Sequence, residues 1–118
     1  MLYGLLFIYV LLDYIYTAKC HLICKTRIQD YLKNNKYVTK VTIGKNVKKI
    51  GANAFYNCKK LKTITIYTTK LKMSTVGKNA FKGVKKNVVV KVPKAKYSLY
   101  KKVLKKRGIS KVAKFRKM

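Results

Sequence analysis

Acid is what this chain of 118 residues has least of. Asp13 and Asp30 are its only carboxylate side chains, set against thirty Lys and Arg for a formal net charge of +28. It has one histidine, His21, one proline, Pro93, and no tryptophan. Two acids and one histidine supply no pair of groups to share acid and base duty, and no G-x-S-x-G elbow or phosphate-binding loop stands in the sequence. The expectation is a protein that is not an enzyme and takes no cofactor.

Cysteine is scarce and odd in number: Cys20, Cys24 and Cys58 cannot all pair within one chain, so no disulfide framework is implied. Cys20-His21-x-x-Cys24 clusters three possible zinc ligands, but a structural site takes four and no second pair follows. No metal is expected there. Cys58 follows a phenylalanine turn and precedes an alternating strand, which is the place for a small buried apolar group, and the reading is an inert packed thiol.

A long apolar run is also missing. Residues 2–16 are the most apolar stretch, but Gly4 and Asp13 interrupt it, no basic segment precedes it, and a spanning helix wants about twenty apolar residues. Three readings stay open for residues 1–27: a degenerate export signal or anchor with membrane contact by residues 1–24, an apolar helix capping the fold, or a start belonging to a truncated or misread gene. The basic charge that follows attracts polyanions. Only Arg27, Arg107 and Arg116 are arginines, so the flat fork that reads base edges is scarce and lysine point charges dominate. A solvated surface with weak, unspecific anion affinity accounts for most of this.

What is present is a repeat. Ile50-Gly51-Ala52-Asn53-Ala54-Phe55 returns as Val76-Gly77-Lys78-Asn79-Ala80-Phe81. Around it three segments align, anchored at Leu32, Phe55 and Phe81, with following positions Val38, Val41, Ile43, then Leu61, Ile64, Ile66, then Asn87, Val90, Val92. Asn87 is the one polar lapse. The offsets are 23 and 26 residues, and the extra three fall in the connection Tyr67 to Thr75. Insertions confined to a connection suit a solenoid.

Alternate residues of a strand share a face, so Val41 with Ile43 and Ile64 with Ile66 point inward while Thr42 and Thr65 face out. Short parallel strands stacked in this way bury a ladder of aliphatics that no repeat buries alone. Gly51 and Gly77 are read as allowing a tight turn, Ala54 and Ala80 a close approach, and Phe55 and Phe81 a second ladder. The competing architecture is an antiparallel meander. Pro93 cannot donate to a further ladder bond and is expected to end the sheet. Residues 94–106 then place Tyr97, Tyr100, Val103 and Leu104 on one helical face, and Gly108 supplies a stop. Residues 109–118 form a last edge strand or fray.

The stretch IGANAFYNCKKLKTITI, followed by VGKNAFKGVKKNVVVKVPKAKYSLYKKVLKKRG, resembles the C-terminal end of a BspA-type leucine-rich repeat protein. The resemblance runs from about residue 32 to residue 108 and rests on the turn ending in Asn-Ala-Phe, Cys58 and the terminal Lys-Val-Pro with its lysine-rich helix. It implies a right-handed β-rich solenoid of short parallel strands and short helical turns, an extracellular or cell-surface setting, and a role in adhesion or protein binding. It brings no catalytic residues. The expected organisation is an apolar N-terminal segment (1–27), a solenoid of about three units (28–93), and a capping helix with a basic tail (94–118).

Two functions follow. The first is a non-enzymatic module for protein binding or adhesion, whose outer positions Thr39, Lys40, Thr42, Lys62, Thr63, Thr65 and Lys91 make a ribbon of hydroxyl and ammonium groups for a protein, glycan or anionic wall polymer. The alternative is a protein that holds nucleic acid or another polyanion weakly by charge, with Tyr67 a candidate for stacking and Tyr97 and Tyr100 further ones only if the helix does not bury them.

Overall fold

The computed structural model describes residues 14–17, 21–24, 33–35 and 37–118, the first two segments by their backbone. The described strands are β1 (Tyr14–Thr17), β2 (His21–Cys24), β3 (Lys40–Ile43), β4 (Thr63–Ile66), β5 (Val89–Val92) and β6 (Lys114–Lys117), and they form one sheet in chain order. Strand β1 runs antiparallel to β2, and every pairing from β2 to β6 is parallel. The meander is thereby excluded and the solenoid stands.

The register matches the repeat. Val41 pairs with Ile64 and Ile64 with Val90, while Ile43 pairs with Ile66. All of these are buried, together with Val92. The polar lapse at Asn87 is filled by its neighbour: Asn87 is exposed, and Val88 is fully buried in its place. The third strand thus enters the core by plain alternation, Val88-Val90-Val92, where the first two use a three-residue step. The anchor Leu32 lies outside the described residues.

Behind the sheet, Phe55 and Phe81 stack with ring centroids 5.2 Å apart and planes 16° from parallel. Both rings are fully buried. Offset stacking of this kind contributes about 0.5–1.5 kcal/mol beyond the area buried. Each turn is joined to the next by backbone bonds, with Phe55 N–H donating to Ala80 O (2.7 Å) and Phe81 N–H to Arg107 O (2.9 Å).

The glycines in the turn do a different task from the one expected. Gly77 does not need a left-handed backbone; a Cβ there would come within 2.5 Å of Ala52 Cα and 2.6 Å of Gly51 C, so its role is the close approach of two coils. The left-handed bends fall to asparagine instead: Asn53 and Asn79 have φ of 59°, and Asn34 and Asn57 have φ of 62° and 58°. Asparagine tolerates this region better than most residues. Gly83, with φ of 85°, stands where the other coils carry Asn34 and Asn57.

The sheet does not stop at Pro93. The proline ends β5, but the chain runs through a 3-10 turn (Lys94–Lys96) and helix α1 (Tyr97–Lys106) and comes back as β6, paired along its length with β5. The chain end is therefore the edge strand. At the other end, the sheet reaches back past the expected boundary at residue 27 to β2 and β1, so residues 14–16 are strand and not part of an apolar helix. Among the described residues no helix is long and apolar enough to cross a membrane.

Helix α1 buries Tyr100, Val103 and Leu104 against the last coil, while Tyr97 is half-buried. It stops at Gly108 (φ 116°), where Ile109 N–H donates to Leu104 O (3.0 Å) and Gly108 N–H to Lys105 O (3.4 Å). That crossed pair of bonds is the Schellman end, with buried Ile109 completing its apolar contact. The three-residue insertion is packed below the helix. Tyr100 Oη donates to Thr68 O (2.7 Å) and accepts from Leu71 N–H (3.2 Å), and Thr68 Oγ1 donates to Val47 O (2.6 Å).

Candidate binding face of the sheet

Inward residues alternate with outward ones, so the register that builds the core also sorts the outer face into rows. One row reads Lys40, Thr63, Val89, Lys114, and the next reads Thr42, Thr65, Lys91, Arg116. Neighbours within a row stand on strands about 4.8 Å apart. Of the seven residues expected on a binding ribbon, Lys40, Thr42, Thr63, Thr65 and Lys91 are brought together here. Thr39 and Lys62 are not in these rows. They precede β3 and β4, where Thr39 O accepts from both Lys62 N–H (2.8 Å) and Thr63 N–H (3.2 Å).

On β3 to β6, where the side chains are described, three members of the face escaped the sequence reading. Val89 sits between Thr63 and Lys114, and the two cations of β6 continue both rows. The signal was present: Lys114, Phe115 and Arg116 alternate as a strand should, with Phe115 half-buried between two exposed cations.

Across the four strands whose side chains are described, the two halves of the face differ. On β3 and β4 the outward residues are three threonines and Lys40, whereas on β5 and β6 they are Val89, Lys91, Lys114 and Arg116. Lys91 lies directly beside Arg116. Like charges at paired positions cost stability unless a counter-charge intervenes. Asp13 and Asp30 both lie outside the described residues, so no Asp or Glu side chain is among the residues described here.

A third row follows at the C-terminal ends of the strands. Tyr67 N–H donates to Ile43 O (2.8 Å) and Met118 N–H to Val92 O (2.9 Å), so the ladder continues one residue past each strand. Carried on in register, Tyr67 falls between Gly44 and Pro93. Buried Ile66 and Thr68 flank it, and Tyr67 is 47% exposed. It shares its face with Thr63 and Thr65.

The other candidates resolve simply. Cys58 is fully buried, and its burial pushes the thiol up to about 11 against the partial opposing effect of the Asn35 backbone N–H. A neutral, enclosed thiol is a packing group and not a nucleophile. Of the Cys20-His21-Cys24 cluster, Cys20 lies outside the described residues, and among the described residues no group of three or more metal-type ligands occurs. Tyr97 has Lys101 Nζ at 5.6 Å and Lys117 Nζ at 5.1 Å from its ring centroid, which fixes the last strand against the helix by cation–π attraction.

Search of the curated proteins and of the solved structures finds no match to the chain. A scan of protein families does match: residues 26–115 fit the family described as BspA type Leucine rich repeat region (6 copies). The matched span takes in β3 to β5, helix α1 and the start of β6, more than half of the chain. With parallel strands, stacked phenylalanines and repeated turns all in register within that span, the chain belongs to the BspA-type leucine-rich repeat family.

Proposed function

We propose that the chain is a non-catalytic binding module of a cell-surface or extracellular protein, and that the outer face of its sheet takes an acidic partner in adhesion. The observation that supports this most is the pairing of Lys91 with Arg116, flanked by Lys114, with no Asp or Glu side chain among the described residues. Folding alone gives no reason to place cations side by side. An acidic group bridging them turns a repulsion into two charge-assisted contacts. The family of repeats supports the binding role, since leucine-rich repeats generally bind proteins and do not catalyse.

A second reading rests on a separate feature. Lys60, Lys86 and Lys111 hold equivalent positions just before β4, β5 and β6, and Tyr37, 76% exposed, holds the same position before β3. This column lies off the sheet face and suits loose, charge-driven polyanion binding.

Titrating the full chain with poly-L-glutamate distinguishes the two. The Lys91→Gln/Arg116→Gln variant is expected to bind about tenfold more weakly, and Lys60→Gln/Lys86→Gln within about twofold of the unsubstituted chain. Equal losses in the two variants, with affinity falling steeply between about 50 and 200 mM salt, would reject the face in favour of general charge.

A further inference from the structure

The outer face has one aromatic side chain among the described residues that is both exposed and set in register with it. Tyr67 stands at the end of β4 with Gly44 on one side and Pro93 on the other. Glycine raises no side chain and the proline ring is short, so about 10 Å of the third row, two strand spacings, is low ground around the phenol. The row beside it carries the Thr65 hydroxyl. Lys91, in that same row one strand over, is the diagonal neighbour of Tyr67 and within reach of a long side chain, and Arg116 stands beside Lys91 one strand further on.

We propose that Tyr67 is a stacking platform for a sugar ring, and that the ligand of this face is a carboxylated polysaccharide. The proposal rests on the reading of the outer face as an acid-binding surface and gives that reading its ligand class. A pyranose has a flat face of C–H groups that packs on an aromatic ring, hydroxyls around its edge, and, in a uronic acid, a carboxylate beyond the ring. The sheet offers the matching groups in that order: the Tyr67 ring, the Thr65 hydroxyl, then Lys91 and Arg116. A single-stranded nucleic acid is disfavoured because successive bases want successive aromatics. On β3 to β6, Tyr67 is the one such ring of this face. An acidic peptide would use the cations but has no need of the platform.

The test uses the full chain with polygalacturonate, poly-L-glutamate and oligo-dT as probes, read by titration calorimetry at about 150 mM salt. Tyr67→Ala is expected to weaken polygalacturonate binding about tenfold and to leave poly-L-glutamate binding unchanged, while Tyr67→Phe keeps both. The half-exposed ring makes little contribution to the core, so each variant is expected to melt as cooperatively as the unsubstituted chain. If Tyr67→Ala binds polygalacturonate like the unsubstituted chain while Lys91→Gln/Arg116→Gln still loses it, the sugar platform is overturned and the acid-binding face survives. If neither variant loses binding, both fall. A loss confined to oligo-dT would make the platform one for bases and overturn the proposal equally.

Discussion

The coil that ends in β4 and the coil that ends in β6 solve one packing problem with different parts. In the first, the back of the coil is a turn whose left-handed Asn53 and Asn57 swing Phe55 under the sheet onto Phe81. In the second, the stack stops. Phe81 N–H bonds to Arg107 O as Phe55 N–H bonds to Ala80 O, so Gly108 falls where the next phenylalanine would be. Helix α1 supplies Tyr100 and Leu104 to the core in its stead. The difference shows that the backbone ladder between coils is the invariant, and that the residue filling the space behind it is replaceable. It also explains why the helical coil has a glycine where the others have phenylalanine: a Cβ on Gly108 would lie within 2.6 Å of Lys82 Cα and 2.8 Å of Phe81 C.

The comparison is broken most severely at that glycine. Gly108→Val forces a β-branched residue onto a positive φ and into the Phe81–Lys82 backbone, and should abolish the cooperative urea transition. Gly83→Asn is the contrast: its Cβ meets chiefly the Asn57 side chain, and two other coils carry asparagine at that position. It is expected to shift stability by no more than about 1 kcal/mol. A similar collapse in both variants would mean that the two positions are equally closed and that the turn tolerates no side chain.

Next in size is the stack itself. Phe55→Ala should cost about 3–5 kcal/mol in urea unfolding. Thr65→Ala, on the outer face of the same coil, should stay within about 0.5 kcal/mol. Equal losses would show that this register does not sort the coil into a core face and an outer face.

The helical coil has its own test in Tyr100→Phe. The ring stays, but Thr68 O loses its donor and Leu71 N–H its acceptor, both in buried surroundings, for an expected cost of about 1–3 kcal/mol. Tyr97→Phe keeps the half-buried ring and its lysine neighbours, and should be nearly silent when both variants are unfolded in urea.

The smallest effect is a pH dependence in the turn coil. In the fold, burial holds the Cys58 thiol neutral to about pH 11, whereas in the unfolded chain it ionises near its ordinary value of 9.0. Its folded pKa is raised, so the stability linked to it is complete below about pH 9 and is lost as pH rises toward 11. Melting temperatures measured from about pH 8 to about pH 10 should fall more steeply for the unsubstituted chain than for Cys58→Ala. Burial also raises the Tyr100 phenol, and that contribution is common to both proteins. Identical slopes would show that the thiol is not shielded.

How much of this could be read from the chain depended on periodicity. The inward ladder of Val41, Ile43, Ile64, Ile66, Val90 and Val92 was legible because strand alternation and the repeat offset point to the same residues. Tyr100, Val103 and Leu104 were legible for the same reason at helical spacing. The asparagines were not: Asn53 and Asn79 each stand two residues after a glycine, and glycine is the usual occupant of a left-handed bend, so the pattern points to the wrong residue. Strand β6 was half-legible, because four residues of weak alternation look alike whether paired or frayed. The binding face suffered most from that, since two of its four cations lie on β6. The relation of Tyr67 to Gly44 and Pro93 is set by pairing between distant segments, and no local pattern announces it.

The hydroxyl of Tyr100 has a consequence for how the molecule comes apart. It bonds to residues 32 and 29 positions earlier in the chain, in the connection before β5, and Arg107 Nη2 repeats the link by donating to Met73 O at 3.0 Å. Helix α1 is therefore fastened across its own coil to the one before, and cannot leave without stripping the Tyr67 to Thr75 connection of its partners. A stack of coils with weak contacts between neighbours would unzip from the end one unit at a time. Here the last two units open together, so the amides of Leu71 and Ile109 should exchange with solvent hydrogen at a common free energy, as members of one cooperative block.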